Sequence, residues 1–217
     1  PNITLRLASG GYIGGGMYHS QNLEAVFASL PGARIVYPSF ADDAAGLLRT
    51  SMRSEGFTVF LEPKALYNSV DAATTIPDDF EVPFGKARIH RAGKDLSLIT
   101  YGNTTLFSLA VAERLAKEDW DVEVIDIRSI VPLDKDTIFE SVKKTSKALV
   151  VHEDKVFSGF GAEIAAMIGT EIFEYLDAPV QRVGSTFTPV GFNPILERAV
   201  LPGEDRIYEA AKKLLEF

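Results

Sequence analysis

The chain has 217 residues, 46% of them hydrophobic and 24% charged, with no cysteine. That apolar fraction excludes a disordered chain, and at about 150 residues per domain the length allows one large domain or two small ones. The formal charge is −8, which argues against nucleic-acid binding through phosphate neutralisation. The absence of Cys removes disulfides, thiolate zinc sites and thiol chemistry, and no apolar run approaches the ~20 residues of a membrane span.

In chain order, Ile3 to Ala8 is rich in β-branched residues and Leu and predicts a strand. The chain opens on it without an initiator Met, and so reads as a piece of something longer. Gly10 to Gln21 holds five glycines and forbids a regular element. Asn22 is placed to cap a helix over Leu23 to Leu30, ended by Pro31-Gly32. Arg34 to Tyr37 predicts a strand. Ser39 is placed to cap a helix over Ala41 to Arg53, with Asp42 and Asp43 in its first turn, where they suit the macrodipole. Thr58 to Leu61 is a third strand.

Residues 68–85 have little periodicity and are punctuated by Pro77, Pro83 and Gly85, as a linker would be. Strands then alternate with helices. Strands are expected over Asp95–Tyr101, Val122–Ile127, Ala148–His152 and Val180–Gly184. Helices are expected over Thr105–Lys117, Asp134–Lys144, Gly161–Tyr175 and Arg206–Leu215. Such alternation means βαβ units and a mainly parallel sheet with helices on its faces. The fold class is therefore α/β: a partial first domain, a linker, and a complete second domain.

Three histidines are present. His152 ends a strand, and its plain reading is pairing with a nearby carboxylate. His90, in Arg88-Ile89-His90-Arg91, reads as a surface residue on a strand edge. His19 lies between the glycine loop and a helix. Loops on a rigid scaffold carry function, and helix N-termini offer free N–H groups. His19 is thus either an acid–base group near neutral pH or a loop side chain satisfying its neighbours. The glycine loop is no P-loop, since no Gly-Lys-Ser/Thr follows, and its spacing does not fit G-x-G-x-x-G. Phe139, Phe157, Phe160, Phe173 and Tyr175 read as packing rather than as a stacking platform.

The segment Tyr18-His19-Ser20-Gln21 with Glu24 begins a series of motifs in register. It continues through Leu30-Pro31-Gly32, Val36-Tyr37-Pro38-Ser39, Asp43-Ala44-Ala45-Gly46-Leu47-Leu48 and Leu61-Glu62-Pro63-Lys64-Ala65-Leu66-Tyr67. In the second domain come Val82 to Ala87, Ile130-Val131-Pro132-Leu133-Asp134, Val151-His152-Glu153 and Gly159 to Ile164. Together they resemble the β-subunit, or β-equivalent C-terminal part, of the thiamin-diphosphate-dependent 2-oxo acid dehydrogenase E1 component, pyruvate or branched-chain type, in the transketolase superfamily.

The resemblance implies that residues 1–67 are the C-terminal half of a pyrimidine-binding domain, 68–85 a linker, and 86–217 a transketolase C-terminal-like domain that mainly assembles subunits. It implies His19 as the catalytic histidine, supported by Tyr18, Ser20 and Gln21. The cofactor would be thiamin diphosphate with magnesium in the full enzyme. The residues that hold it are expected upstream of Pro1 and in a partner, so none is assigned here and the isolated chain is expected to be inactive. Implied partners are an E1 α-subunit or N-terminal half of the same chain, in a homodimer or heterotetramer, and the subunit-binding domain of E2. Leu214 to Phe217 are candidates for the E2 contact. A monovalent-cation site of the family maps onto Ile3, Thr4, Ser51, Ser54 and Gly56, but Ser54 and Gly56 stand where Asp and Asn are usual, so no metal is expected. Two other readings are a transketolase or deoxyxylulose-phosphate synthase fragment, and a purely structural assembly module. The expected compartment is the cytoplasm.

Overall fold

A computed structural model describes residues 2–217. Two sheets organise them, in strand orders β1-β3-β2-β7 and β4-β6-β5-β8-β9. In the first sheet, β1 (Ile3–Ser9), β2 (Ala33–Val36) and β3 (Phe57–Pro63) are parallel. The apolar runs of β2 and β3 are mostly buried, as suits inner strands, while the edge strand β1 is largely half-buried or exposed. Between β1 and β2 lie the one-turn helix α1 (Gly16–His19) and the short α2 (Glu24–Ala28). α3 (Ala41–Arg53) is the crossover from β2 to β3. Asn22 does not cap α2, since the N-cap position is Leu23; its side-chain carbonyl instead accepts from the Tyr37 hydroxyl at 3.1 Å. Ser39 likewise does not cap α3. The N-cap is Phe40, and the Ser39 hydroxyl donates to Thr105 Oγ1 at 2.9 Å.

Segment 68–85 lacks helix and strand, yet it is tied down. Thr50 Oγ1 donates to the Val82 carbonyl at 2.8 Å, Arg49 donates to that of Phe80 at 2.9 Å, and Phe80, Val82 and Phe84 pack over α3.

The second sheet is built from β4 (Arg88–Arg91), β5 (Leu96–Thr100), β6 (Val122–Asp126), β8 (Ala148–Lys155) and β9 (Gln181–Ser185), all parallel except the antiparallel β4. Helices α4 (Thr104–Ala116), α5 (Lys135–Thr145), α6 (Gly161–Glu171) and α8 (Glu204–Leu215) cover its faces. Helix α6 stops four residues earlier than periodicity predicts, and a 3-10 turn, Phe173–Tyr175, follows it. Helix α1 stands within the glycine loop, where no regular element was expected, and two elements of the second half were not anticipated either. Strand β7 (Ser129–Val131) leaves the second sheet and pairs antiparallel with β2 in the first. Helix α7 (Pro194–Val200) is capped by the Asn193 side chain, which accepts from the Ile195 amide at 2.8 Å.

The main apolar core runs through both sheets. Ile35, Tyr37, Val59 and Leu61 from the first pack with Ile99, Tyr101, Ile125 and Ile130 from the second half. A second cluster lies under α4 and α8 and takes in Leu214 and Leu215. Those two expected E2 contacts are therefore core side chains, and of the apolar residues at this chain end only Phe217 is exposed. Phe157, Phe173 and Tyr175 are also exposed, whereas Phe160 packs inside as expected.

The halves are joined electrostatically as well. Asp43, expected to serve the helix dipole, is fully buried and accepts from Arg128 at 2.6 Å and from Arg88 at 3.0 Å.

Candidate active site

In both sheets the carboxyl ends of the parallel strands are where ligands gather in open α/β folds. The two ends meet here. Strand β1 runs out at Ser9 into the glycine loop, and β8 runs out at Glu153 to Lys155 beside it. The Gly11 amide donates to Glu153 Oε1 at 2.5 Å, and Asn22 Nδ2 reaches the same oxygen at 3.2 Å. Gly10 has φ +84°, and a Cβ on it would lie 2.7 Å from Glu153 Oε1. Only glycine meets both demands.

His19 ends α1, and its side chain is exposed. Its backbone carbonyl accepts from Lys64 Nζ, which the Glu62-Pro63-Lys64 segment delivers from the end of β3. Burial lowers the Lys64 pKa, and Glu153 opposes that shift. Gln21 Nε2 donates back to the Met17 carbonyl at 2.5 Å, while its oxygen accepts from Lys155 at 2.9 Å. Ser20 is buried, and its hydroxyl has no hydrogen-bond partner among the described residues. Tyr18 is 82% exposed. Of the three residues grouped with His19, Ser20 is buried, Gln21 is bonded to Met17 and Lys155, and Tyr18 faces outward.

An acidic cluster lies beneath. Glu24 is fully buried, and its pKa is pushed up to about 8, by burial first and by Asp154 second; the Tyr101 hydroxyl donates to its Oε1 at 3.1 Å. Burial also raises the pKa values of Glu153 and Asp154.

Among the described residues, neither ring nitrogen of His152 has a hydrogen-bond partner, carboxylate or other. Its ring is fully buried, stacked at 6.3 Å on Tyr101, and pressed by Gly161, where a Cβ would come within 2.3 Å. Burial lowers its pKa to about 4, with Arg182 adding to the effect, so the ring is a neutral packing group at pH 7. His90 is not a surface residue either. Its side chain is only 10% exposed, lies 4.5 Å from the Phe40 ring, and points Nε2 at Asp126, 3.8 Å away. Antiparallel pairing with β6 turns it inward. Asp43, His90 and Asp126 bring one donor atom each within 4.8 Å, but both Asp43 oxygens already hold guanidinium groups.

Thr4 and Ser51 do meet, Thr4 Oγ1 donating to the Ser51 carbonyl at 3.1 Å. The Ile3 amide donates to the Gly56 carbonyl at 3.0 Å. The hydroxyls of Ser51 and Ser54 turn back onto the α3 backbone.

Three loop amides already have carboxylate acceptors, Gly11 in Glu153 and Ile13 and Gly14 in Glu197 at 3.2 Å, so these three are not free to cradle a diphosphate. Glu197 gave no sequence signal, since it lies in the unanticipated α7. Lys64 and Glu153 were visible as members of motifs, without roles. Against the glycine loop, Phe192 is 77% exposed and lies 3.7 Å from where a Cβ on Gly16 would sit.

Two mainly parallel sheets, sharing a core and meeting at their strand ends over a glycine loop, make a two-part α/β protein. Residues 1–70 match the pyrimidine binding domain of transketolase and residues 85–207 its C-terminal domain. The 2-oxoisovalerate dehydrogenase subunit beta of Bacillus subtilis is 38% identical over 216 residues, which are 99% of this chain and 66% of that protein. The pyruvate dehydrogenase E1 component subunit beta of Rickettsia felis is 41% identical over 200 residues, 92% of this chain and 60% of that protein. A solved split gene transketolase, an inactive beta4 tetramer, shares the fold with a TM-score of 0.77 at 21% identity, over 99% of this chain and 67% of its own. The chain belongs to the transketolase superfamily, within the β-subunit group of the 2-oxo acid dehydrogenase E1 components. It spans two thirds or less of the length of these two curated relatives. Among the described residues no helix is long and apolar enough to cross a membrane.

Proposed function

We propose that the chain is the C-terminal portion of an E1 component that decarboxylates pyruvate or a branched-chain 2-oxo acid with thiamin diphosphate and passes the acyl group to the lipoyl arm of E2. Its own contribution is His19, an acid–base group presented where the strand ends of both halves meet. The observation that carries this reading is the convergence on one loop: Lys64 grips the His19 carbonyl from β3, and Glu153 grips Gly11 from β8. A residue whose backbone is so held, with its side chain open to solvent, suits proton transfer to a group supplied from outside the chain.

Magnesium and the cofactor belong, in this reading, to parts of the E1 component other than this chain, whose Gly11, Ile13 and Gly14 amides are already committed. The isolated chain is accordingly inactive. Met17, Tyr18 and Phe192, all exposed on or against the loop that carries His19, support contact there with an E1 α-subunit or its equivalent, since clustered apolar exposure marks interaction surfaces. The E2 subunit-binding domain and a cytoplasmic location complete the proposal; with Leu214 and Leu215 buried, an E2 contact within Leu214 to Phe217 falls to Glu216 and Phe217.

The test uses the full-length β-chain assembled with its α-partner. His19→Ala lowers kcat for acyl transfer to lipoamide by ~10²-fold or more, the range of a general acid–base group. Full turnover by that variant overturns the role. Micromolar thiamin diphosphate binding by the isolated 217-residue chain, measured by calorimetry, overturns the claim that this piece does not hold the cofactor.

A further inference from the structure

We propose that Glu197, together with Glu153, is a positioning residue for His19, so that the C-terminal half sets the shape of the loop rather than only assembling subunits. The proposal rests on the catalytic reading of His19 given above.

The loop from Gly10 to Gln21 has little structure of its own. Within it the backbone forms one helical turn, and its two ends share a single bond, Gly10 N to the Gln21 carbonyl at 2.9 Å. Gly10, Gly14 and Gly16 all have positive φ. A chain so rich in glycine loses much conformational entropy on ordering, and its fixed shape needs outside holds.

Those holds come largely from the second half of the chain. Glu197 is 5% exposed. Its Oε1 accepts from the Ile13 and Gly14 amides at 3.2 Å, and its Oε2 accepts from Gly14 at 3.2 Å. Among the described residues its carboxylate makes no other hydrogen bond. Glu153 takes the Gly11 amide. Tyr12 donates its hydroxyl to the Pro202 carbonyl and sets its ring edge-on to Phe107 at 5.4 Å. Leu201 fills the space a Cβ on Gly11 would need.

A buried carboxylate loses hydration, and that loss is tolerable only where charge-assisted partners replace water. For Glu197 the replacements are two loop amides that stand five and six residues before His19. Helix α7, which carries Glu197, is otherwise a poor anchor, with Ile195 and Leu196 exposed on it. The arrangement is therefore a clamp on the loop, and what the loop carries forward is His19.

Hydrogen exchange tests the clamp in the full-length β-chain assembled with its α-partner. Glu197→Ala speeds exchange of the Ile13 and Gly14 amides by about tenfold or more, the loss expected of hydrogen bonds to a charged group. Glu197→Gln, which keeps the shape and one acceptor, falls between Ala and wild type, and covers the case in which Ala does not fold. Exchange in β8 serves as the control. Unchanged exchange of Ile13 and Gly14 in both variants overturns the clamp.

Steady-state kinetics test its purpose. Glu197→Gln lowers kcat with little change in KM, and adds no further loss in a His19→Ala background. Multiplicative losses in the double variant overturn the positioning role. Should His19→Ala itself keep full turnover, the catalytic reading of His19 falls, while the clamp is still judged by the exchange data.

Discussion

Arg128→Ala perturbs the junction between the two halves at a buried ion pair. The guanidinium donates to Asp43 Oδ1 at 2.6 Å, to the Lys86 carbonyl at 3.0 Å and to the Ala87 carbonyl at 3.1 Å. Asp43 is fully buried, and the Arg128 side chain is 10% exposed. Removing one member of a buried pair costs about 3–5 kcal/mol, because the other charge is left without compensation. Arg88 still donates to Asp43 Oδ2 at 3.0 Å, which places the expected loss near the lower bound, about 3 kcal/mol. That is a large share of the roughly 5–15 kcal/mol that holds a domain folded. Urea denaturation followed by the fluorescence of Trp120, the single tryptophan, measures it. Arg88→Ala is the comparison: its guanidinium is more exposed, and its loss costs about 1 kcal/mol or less. Added salt shrinks the Arg88 effect and leaves the Arg128 effect nearly intact. A loss below about 1 kcal/mol for Arg128→Ala, or one as salt-sensitive as that of Arg88→Ala, refutes the argument.

Three further outcomes follow from the buried ionisable groups and the loop. His152 has a folded pKa of about 4 against an ordinary value of 6.5, so the unfolded chain binds the extra proton between these values; stability attributable to this residue is whole above pH 6.5 and declines toward pH 4 by up to about 1.4 kcal/mol per unit, and His152→Leu removes that slope in denaturation curves taken across the window. Glu24 has the opposite sign: with its pKa raised to about 8 from 4.5, its neutral form is the stable one, its contribution is whole below pH 4.5 and is lost as the pH climbs to 8, so Glu24→Gln gains on wild type from pH 5 to pH 8, and a constant difference would contradict the burial argument. Gly10→Ala forces a Cβ to 2.7 Å from Glu153 Oε1 at φ +84° and lowers the melting temperature, by a loss of about 1–3 kcal/mol, more than Gly203→Ala, where nothing lies within 4 Å of the new methyl.

Much of the architecture was legible because the strands are β-branched runs and the helices carry apolar spacing of the right period. The predicted span Ala41 to Arg53 coincides with α3 as observed. Short elements held by tertiary pairing were not legible. Ser129–Val131 is three residues long and exists as a strand because β2 offers it an edge. Helix α7 does carry a signal, an Asn-Pro pair at cap and first turn, though too short a run follows to show a period. The caps assigned to Asn22 and Ser39 failed because both side chains found partners across the fold instead of on their own helices. At the site, motif resemblance pointed to His19. It could not show that Lys64 and Glu153 hold the loop, since they lie 45 and 142 residues from the loop groups they touch. His90 and His152 depart from expectation for one reason: burial is decided by neighbouring elements that spacing does not reveal.

The excursion of β7 into the first sheet bears on how this chain could be divided. Cut within segment 68–85, the first part would lose its outer antiparallel strand and expose β2, with β1 already an unpaired edge among the described residues. Two bare strand edges on one small sheet invite sticking to other chains. The second part would meanwhile carry Ser129–Val131 as an orphaned ribbon, along with half of a severed apolar core. The two halves are thus separate in pattern but not in solubility, and expression of either one alone should yield aggregates where the joined chain stays dispersed.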